Sequence, residues 1–259
     1  MTSPSRVLAI LDLFTRERPV WQPDEINDAL GYARPTGYRY VKELVDAGLL
    51  QKVSAGRYAL GARIIELDYQ LRQGDPLLLA AVPVMERLAA DTGYDVVLSV
   101  MFAGPAAVPK VIDVHRVTVE KTLALAYGRG RPRPLFRSGA PKVLLAAMAR
   151  APLVKLHAAR ADEIAASGMG RDWTEFRAYL TQVRKQGWYR SSGELEKGIG
   201  AIAVPVPGAD EEVVAALALV GRAARIDRED TARLAGRLQV AAETIRRKLG
   251  SVGRGSAAA

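Results

Sequence analysis

At 259 residues the chain exceeds a typical single domain, and its 49% hydrophobic and 25% charged residues are those of an ordinary globular protein. It contains no cysteine, which excludes disulfides and thiolate metal sites, and no apolar run of membrane-spanning length. The net charge of +9 says little about nucleic acid, because residues 1–61 carry eight Lys/Arg against seven Asp/Glu and the excess lies beyond them. The first residues lack a basic region followed by an apolar core, so a cytoplasmic location is expected.

Val7, Leu8, Leu11 and Phe14 recur at helical spacing and predict a first helix over 5–16. Pro23 opens a second helix, since a first-turn residue has no use for its amide hydrogen; Asp24 and Glu25 suit the positive end of its dipole. Ile26, Ala29 and Leu30 form its inward stripe, and Gly31 ends it. A third helix is expected over 34–47, followed by two short apolar runs, 49–53 and 57–60, split by Ser54, Ala55 and Gly56. Helix, tight turn, helix and hairpin in this order make a winged helix-turn-helix, whose second helix enters the DNA major groove.

The third helix carries the functional argument. Val41, Leu44 and Val45 define its inward face, and no acid lies between Asp28 and Glu43. Thr36 and Arg39 fall opposite, with Tyr40 at one flank and Lys42 at the other edge. Arginine pairs bidentately with guanine and a threonine methyl touches the thymine methyl, so Thr36, Arg39 and Tyr40 are expected toward bases, with Tyr38 on the same helix. Arg34, Lys42 and the wing residue Arg57 are expected on phosphates.

Beyond the wing, Ile64, Ile65, Leu67 and Leu71 predict a linking helix within 62–75, broken at Gly74-Asp75-Pro76. Residues 76–250 read as mixed α/β. Helices are expected over 77–92, 143–149, 175–186 and 227–249, and strands over 95–102, 110–115, 122–126, 199–206 and 213–220. The Gly/Ser/Ala-rich tail, 251–259, reads as disordered. The fold class is therefore α+β. The loop from Ser138 to Pro141 precedes a helix expected to begin near Lys142, so free amides there can grip an anion.

Arg6 to Phe14, Pro35-Thr36-Gly-Tyr-Arg39, Tyr58 to Gly61, Pro134 to Ala146 and Gly187 to Pro205 occur in the order and spacing of one family. On these blocks the chain resembles the IclR family of bacterial transcriptional regulators over nearly its whole length. The resemblance implies a GAF-like effector domain behind the DNA-binding domain, and a homodimer or homotetramer on palindromic double-stranded operator DNA. It also implies repression of a catabolic operon and a small carboxylate effector, with no cofactor, metal or membrane.

By the same resemblance the 138–141 loop holds the ligand, with Gly139 and Ala140 at the matching backbone positions. Phe136 stands where the family usually has His, Pro141 where it has Gly, and Ser191 where some members carry an acid. Ala201, Ala218 and Val220 are apolar where some members place polar ligand contacts. Together with Leu125 these residues imply a pocket for an aromatic or similarly apolar carboxylate, with Arg133 or Arg137 near its charge.

Three other signals carry less. Arg129-Gly130-Arg131-Pro132 matches an AT-hook core but occurs once, in a loop. Ser138 and Lys142 have the spacing of a serine–lysine nucleophile without its companion motifs, and Lys142 is expected at a solvated helix end. His115 and His157 lack metal-ligand spacing. A regulator is preferred over two alternatives, a small-molecule enzyme with an ancillary helical domain and a non-sensing architectural DNA binder.

Overall fold

The computed structural model describes residues 3–103, 108–123 and 125–255. The chain divides into two units, Met1–Asp75 and Pro76–Ala259.

In the first unit the opening helix is shorter than its spacing predicts: α1 spans Ser3–Ala9 and a 3₁₀ turn follows at Leu11–Leu13. Ile10, between them, is fully buried, whereas Leu8 is exposed. α2 (Pro23–Leu30) is held at its start by a reciprocal cap between Gln22 and Glu25 and stopped by Gly31 at φ +66°. α3 (Arg34–Asp46) follows, then the antiparallel hairpin β1 (Leu50–Ser54) and β2 (Arg57–Leu60). Trp21 and Tyr58 exchange backbone hydrogen bonds of 3.0 and 2.9 Å, which ties the segment before α2 to the hairpin. Ile10, Trp21, Ile26, Tyr40, Val41, Leu44 and Leu50 make one small core. α4 (Arg63–Gly74) closes the unit with none of its residues buried.

The second unit begins with α5 (Pro76–Thr92), β3 (Asp95–Ala103), β4 (Pro109–Val117) and the two-residue β5 (Pro132–Arg133). Helices α6 (Gly139–Ala147), α7 (Arg150–Ala166) and α8 (Trp173–Gln186) follow, then strands β6 (Tyr189–Ser192), β7 (Ile199–Pro207) and β8 (Val213–Arg222). The chain ends in α9 (Ala223–Ile226) and α10 (Thr231–Gly255). The six strands form one antiparallel sheet in the order β5-β4-β3-β8-β7-β6.

Alternation along the strands sorts the sheet into two cores. Val96, Leu98, Ile202, Val204, Leu217 and Leu219 pack with α5 and α10, while Val97, Ala203, Ala216, Ala218 and Val220 pack with α6 and α8. The second face is rich in alanine, so α6 sits close to it: a Cβ on Gly139 would lie 2.9 Å from the Ala203 Cβ.

Four expectations need correction, the first at α6, which starts at Gly139 rather than near Lys142 and so takes Gly139 to Pro141 into the helix. No strand forms over the described part of 122–126, and Ala124 lies outside the described residues. The buried Asp95 carboxylate accepts hydrogen bonds from the amides of Val119 (2.8 Å) and Glu120 (3.1 Å) and from Arg116 Nε (2.9 Å), drawing the chain after β4 into turns instead. The last helix does not start at Asp227, because Asp230 accepts from the amides of Ala232 and Arg233 and caps a new one from Thr231. It continues to Gly255, so the expected tail is helical through that residue; residues 256–259 lie outside those described. β5, β6, α7 and α9 are elements that the sequence reading did not predict.

Candidate nucleic-acid interface and effector pocket

Helices α2 and α3 approach closely at Gly37, where a Cβ would fall 1.5 Å from Asn27 Oδ1. The buried residues of α3 are Gly37, Tyr40, Val41 and Leu44. At about 100° per residue this set centres some 50° from Val41 toward Leu44, not on Val41 itself. The shift corrects one assignment. Tyr40, expected toward bases, is 5% exposed; its hydroxyl pairs with Ser3 Oγ at 3.2 Å and its ring meets Tyr32 edge-on at 5.7 Å.

The same shift places Tyr38 (43% exposed), Arg39 and Lys42 on the open face, with Thr36 half-buried at its edge. Arg34 is exposed, but its guanidinium is paired with Asp24 at 3.0 Å. A hydrogen bond with Tyr38, then the Asp24 charge, raises its pKa further, so it remains a cation. Arg57 is exposed on the wing beside Gly56, which takes φ +67° at the turn. Lys52, exposed on β1, is a wing cation the sequence reading missed; the period-two alternation of a strand could have shown it.

In the second unit a cavity of about 30 Å³ is lined by Leu125, Arg133, Ser191, Ala201 and Val220, all predicted, and by Ser138, Leu195, Glu196, Ile199 and Gly200. Its volume holds roughly one water. Phe136, Gly139, Ala140 and Ala218 are not among its lining residues; all four are buried, Phe136, Ala140 and Ala218 in the core beneath α6. A wider groove of about 950 Å³, with Trp173, Arg177 and Leu180 in its wall, opens between α8 and the C-terminal end of α6, away from the predicted pocket.

Arg133 already has a charged partner within the fold. Its guanidinium makes two hydrogen bonds, of 2.7 and 2.6 Å, to the buried Asp113, which also accepts from Ser99 Oγ at 2.7 Å. Arg137 is exposed. The AT-hook tripeptide is likewise engaged within the fold: Arg129 donates to the Val114 carbonyl, and Arg131 to the Ala126 carbonyl at 2.5 Å.

Lys142 is the largest departure. It is 3% exposed rather than solvated, and its ammonium donates to Glu194 Oε2 at 2.7 Å and to the Tyr189 hydroxyl at 2.8 Å. The Ser138 amide donates to the same Oε2 at 3.0 Å, and the Tyr189 hydroxyl donates to Oε1 at 2.9 Å while accepting from Tyr179 at 2.9 Å. Burial first, then the Tyr179 hydroxyl and the Glu194 charge, push the Tyr189 phenol far above its ordinary value, so it stays a donor. Of the amides expected to grip an anion, that of Ser138 donates to a carboxylate, and the carboxylate is the chain's own Glu194. Sequence reasoning missed Glu194 because it stands 56 residues from Ser138.

Two family descriptions match the chain: "IclR helix-turn-helix domain" over residues 3–54 and "Bacterial transcriptional regulator IclR C-terminal" over residues 72–247. The chain belongs to the IclR family. Among its relatives, the HTH-type transcriptional regulator XynR of Escherichia coli is 27% identical over 96% of this chain and 97% of its own length. The Pca regulon regulatory protein of Pseudomonas putida is 28% identical over 89% and 77% respectively. An IclR family regulator from Brucella abortus shares the fold at a TM-score of 0.76 and 23% identity, over 95% of this chain and 91% of that one. So does an IclR homolog from Microbacterium hydrocarbonoxydans complexed with 4-hydroxybenzoate, at 0.70 and 22%, over 96% and 100%. This IclR chain is a DNA-binding transcriptional regulator, not an enzyme. Among its described residues no helix is long and apolar enough to cross a membrane.

Proposed function

We propose that this regulator represses a catabolic operon, binds a palindromic operator as a dimer or dimer of dimers, and releases or tightens on DNA when an apolar, often aromatic, carboxylate enters the second unit. The observation that carries the DNA half is the open face of α3, where Arg39 and Lys42 stand exposed beside Tyr38 and Thr36 with the wing cation Arg57 following. Arg39 reads a base edge, with Thr36 and Tyr38 beside it; Arg34, Lys42 and Arg57 hold phosphates. The effector half is supported by the apolar wall of Leu125, Ala201 and Val220, and by relatives whose names record a Pca regulon and a 4-hydroxybenzoate complex.

A mobility-shift titration against the DNA upstream of its own gene, with and without aromatic acids, tests both halves. Arg39→Ala should weaken operator binding by about 1–3 kcal/mol and blur the sequence preference at one position. Lys42→Ala should instead weaken all sequences alike and reduce the salt dependence by about one counterion. Wild-type affinity in the Arg39 variant would remove α3 from the reading role.

The second copy belongs on α4. Ile64, Leu67 and Leu71 form one stripe there; Ile64 is half-buried, while Leu67 is 41% and Leu71 52% exposed. Half-sites of a palindrome require a two-fold pair, which supplies the cover. Leu67→Asp should shift the particle mass measured by light scattering toward the monomer and weaken operator binding in parallel; an unchanged mass would move the interface elsewhere.

A further inference from the structure

Resting on the ligand-sensing reading above, we propose that the Ser138 amide, the Lys142 ammonium and the Tyr189 hydroxyl form the carboxylate seat of the effector site, and that Glu194 is its built-in competitor. Three donors from two elements and a loop converge on one carboxylate, at 3.0, 2.7 and 2.9 Å. A buried ammonium needs an anionic partner, and the carboxylate that Lys142 holds comes from a turn rather than from the sheet or a helix.

That turn, residues 193–198 between β6 and β7, is bounded by Gly193 at φ +68° and Gly198 at φ +80°. The ends are fixed points, the Gly193 amide donating to the Ile199 carbonyl and the Ala223 amide to the Gly198 carbonyl, each at 2.8 Å, while the space around both glycines is open, so a swing of the turn falls to residues 194–197. The same turn supplies Leu195 and Glu196 to the wall of the 30 Å³ cavity, and Ser138 is shared between that cavity and the seat. Glu196 fastens the turn a second time, both its oxygens accepting from the Ala126 amide at 2.9 and 3.0 Å. Closed in this way, the pocket cannot admit a benzoate-sized molecule.

Exchange of one carboxylate for another resolves the closure. When a ligand carboxylate takes the place of Glu194, Lys142 keeps an anionic partner throughout, and the turn that carried Glu194 swings out and enlarges the cavity. Glu194 is the member that reaches water, with 25% of its side chain exposed against 4% for Lys142, so the exchange begins there. A neutral amide of the same shape leaves the ammonium unpaired and is rejected. The ligand class is thus a monocarboxylate whose apolar body fills the space under the turn.

The test uses the full chain, with benzoate and acetate as probes and benzamide as the neutral control, at matched ionic strength. Glu194→Ala should unfold at lower temperature than wild type in chloride, regain stability in benzoate or acetate but not in benzamide, and bind benzoate at least about tenfold more tightly than wild type, since the competing closed state is gone. Should Glu194→Ala not fold, Glu194→Gln, which keeps an acceptor but not the charge, is compared in the same way. Equal responses to carboxylates in wild type and variants overturn the proposal. Restoration of the variant by carboxylates while no acid alters operator binding would leave the seat standing and discard the sensing reading. An operator response to acids with no gain in the variants would do the reverse.

Discussion

Arg133→Ala is expected to lower the unfolding free energy of the second unit by about 3–5 kcal/mol, because it strips a buried carboxylate of its charged partner. The side chains of Arg133 and Asp113 are 8% and 3% exposed, and the guanidinium meets the carboxylate with two parallel hydrogen bonds. Ser99 Oγ adds only one neutral hydrogen bond to that full charge. A urea titration should show the midpoint falling with little change of slope. The double variant Arg133→Met/Asp113→Leu should regain most of the loss, since an apolar pair of similar volume needs no desolvation. A single-variant cost below about 1 kcal/mol would return the pair to the class of surface ion pairs and reopen Arg133 as a ligand contact.

This pair shows how much of the candidate effector site was readable from sequence. Ser138, Arg133, Ser191, Ala201 and Val220 do surround one cavity: Ala201 and Val220 lie on expected strands, whereas the other three were placed by the family resemblance alone. What each side chain binds there was not readable, because the deciding partner is distant in sequence: Asp113 stands 20 residues from Arg133, and Glu194 52 residues from Lys142. Periodicity places a residue on a face but does not record which charge lies across from it. The same gap explains Gly139, Ala140 and Ala218, which pass equally for pocket wall or for helix packing; a Cβ built on Gly139 would lie 2.9 Å from that of Ala203, so the glycine lets α6 pack against the sheet.

The first unit was more legible, since its elements are local. Pro23, Gly31 and Gly56 mark a helix start, a helix stop and a turn by backbone chemistry alone. The error at Tyr40 came from centring the inward face of α3 on its aliphatic residues. A glycine contributes nothing to a hydrophobic stripe, yet Gly37 is buried and marks the line along which α2 and α3 meet. Counting it inward rotates the face, brings Tyr40 into the core and sends Tyr38 out.

Gly37→Ala is accordingly expected to disable the helix-turn-helix. The added methyl would lie 1.5 Å from Asn27 Oδ1 and 2.6 Å from its Cγ, distances no pair of atoms sustains, so α3 must move or Asn27 must turn. Asn27 is 6% exposed and sits on a two-bond side chain, with little room to turn. Overpacking of this kind costs about 1–3 kcal/mol. Displacing α3 also carries Arg39 and Lys42 off the DNA contacts proposed for them, so operator affinity should fall with stability rather than independently of it. Asn27 offers a second handle, because neither atom of its side-chain amide has a hydrogen-bond partner among the described residues. Asn27→Ala alone should therefore be neutral or stabilising, having removed an unsatisfied polar group. In the double variant the methyl of position 37 enters the space the amide leaves, and both stability and operator binding should return toward wild type, a coupling that a double-mutant cycle reads directly. If Gly37→Ala binds the operator like wild type, or if Asn27→Ala fails to rescue it, the contact between these two residues does not set the angle at which α3 is presented to DNA.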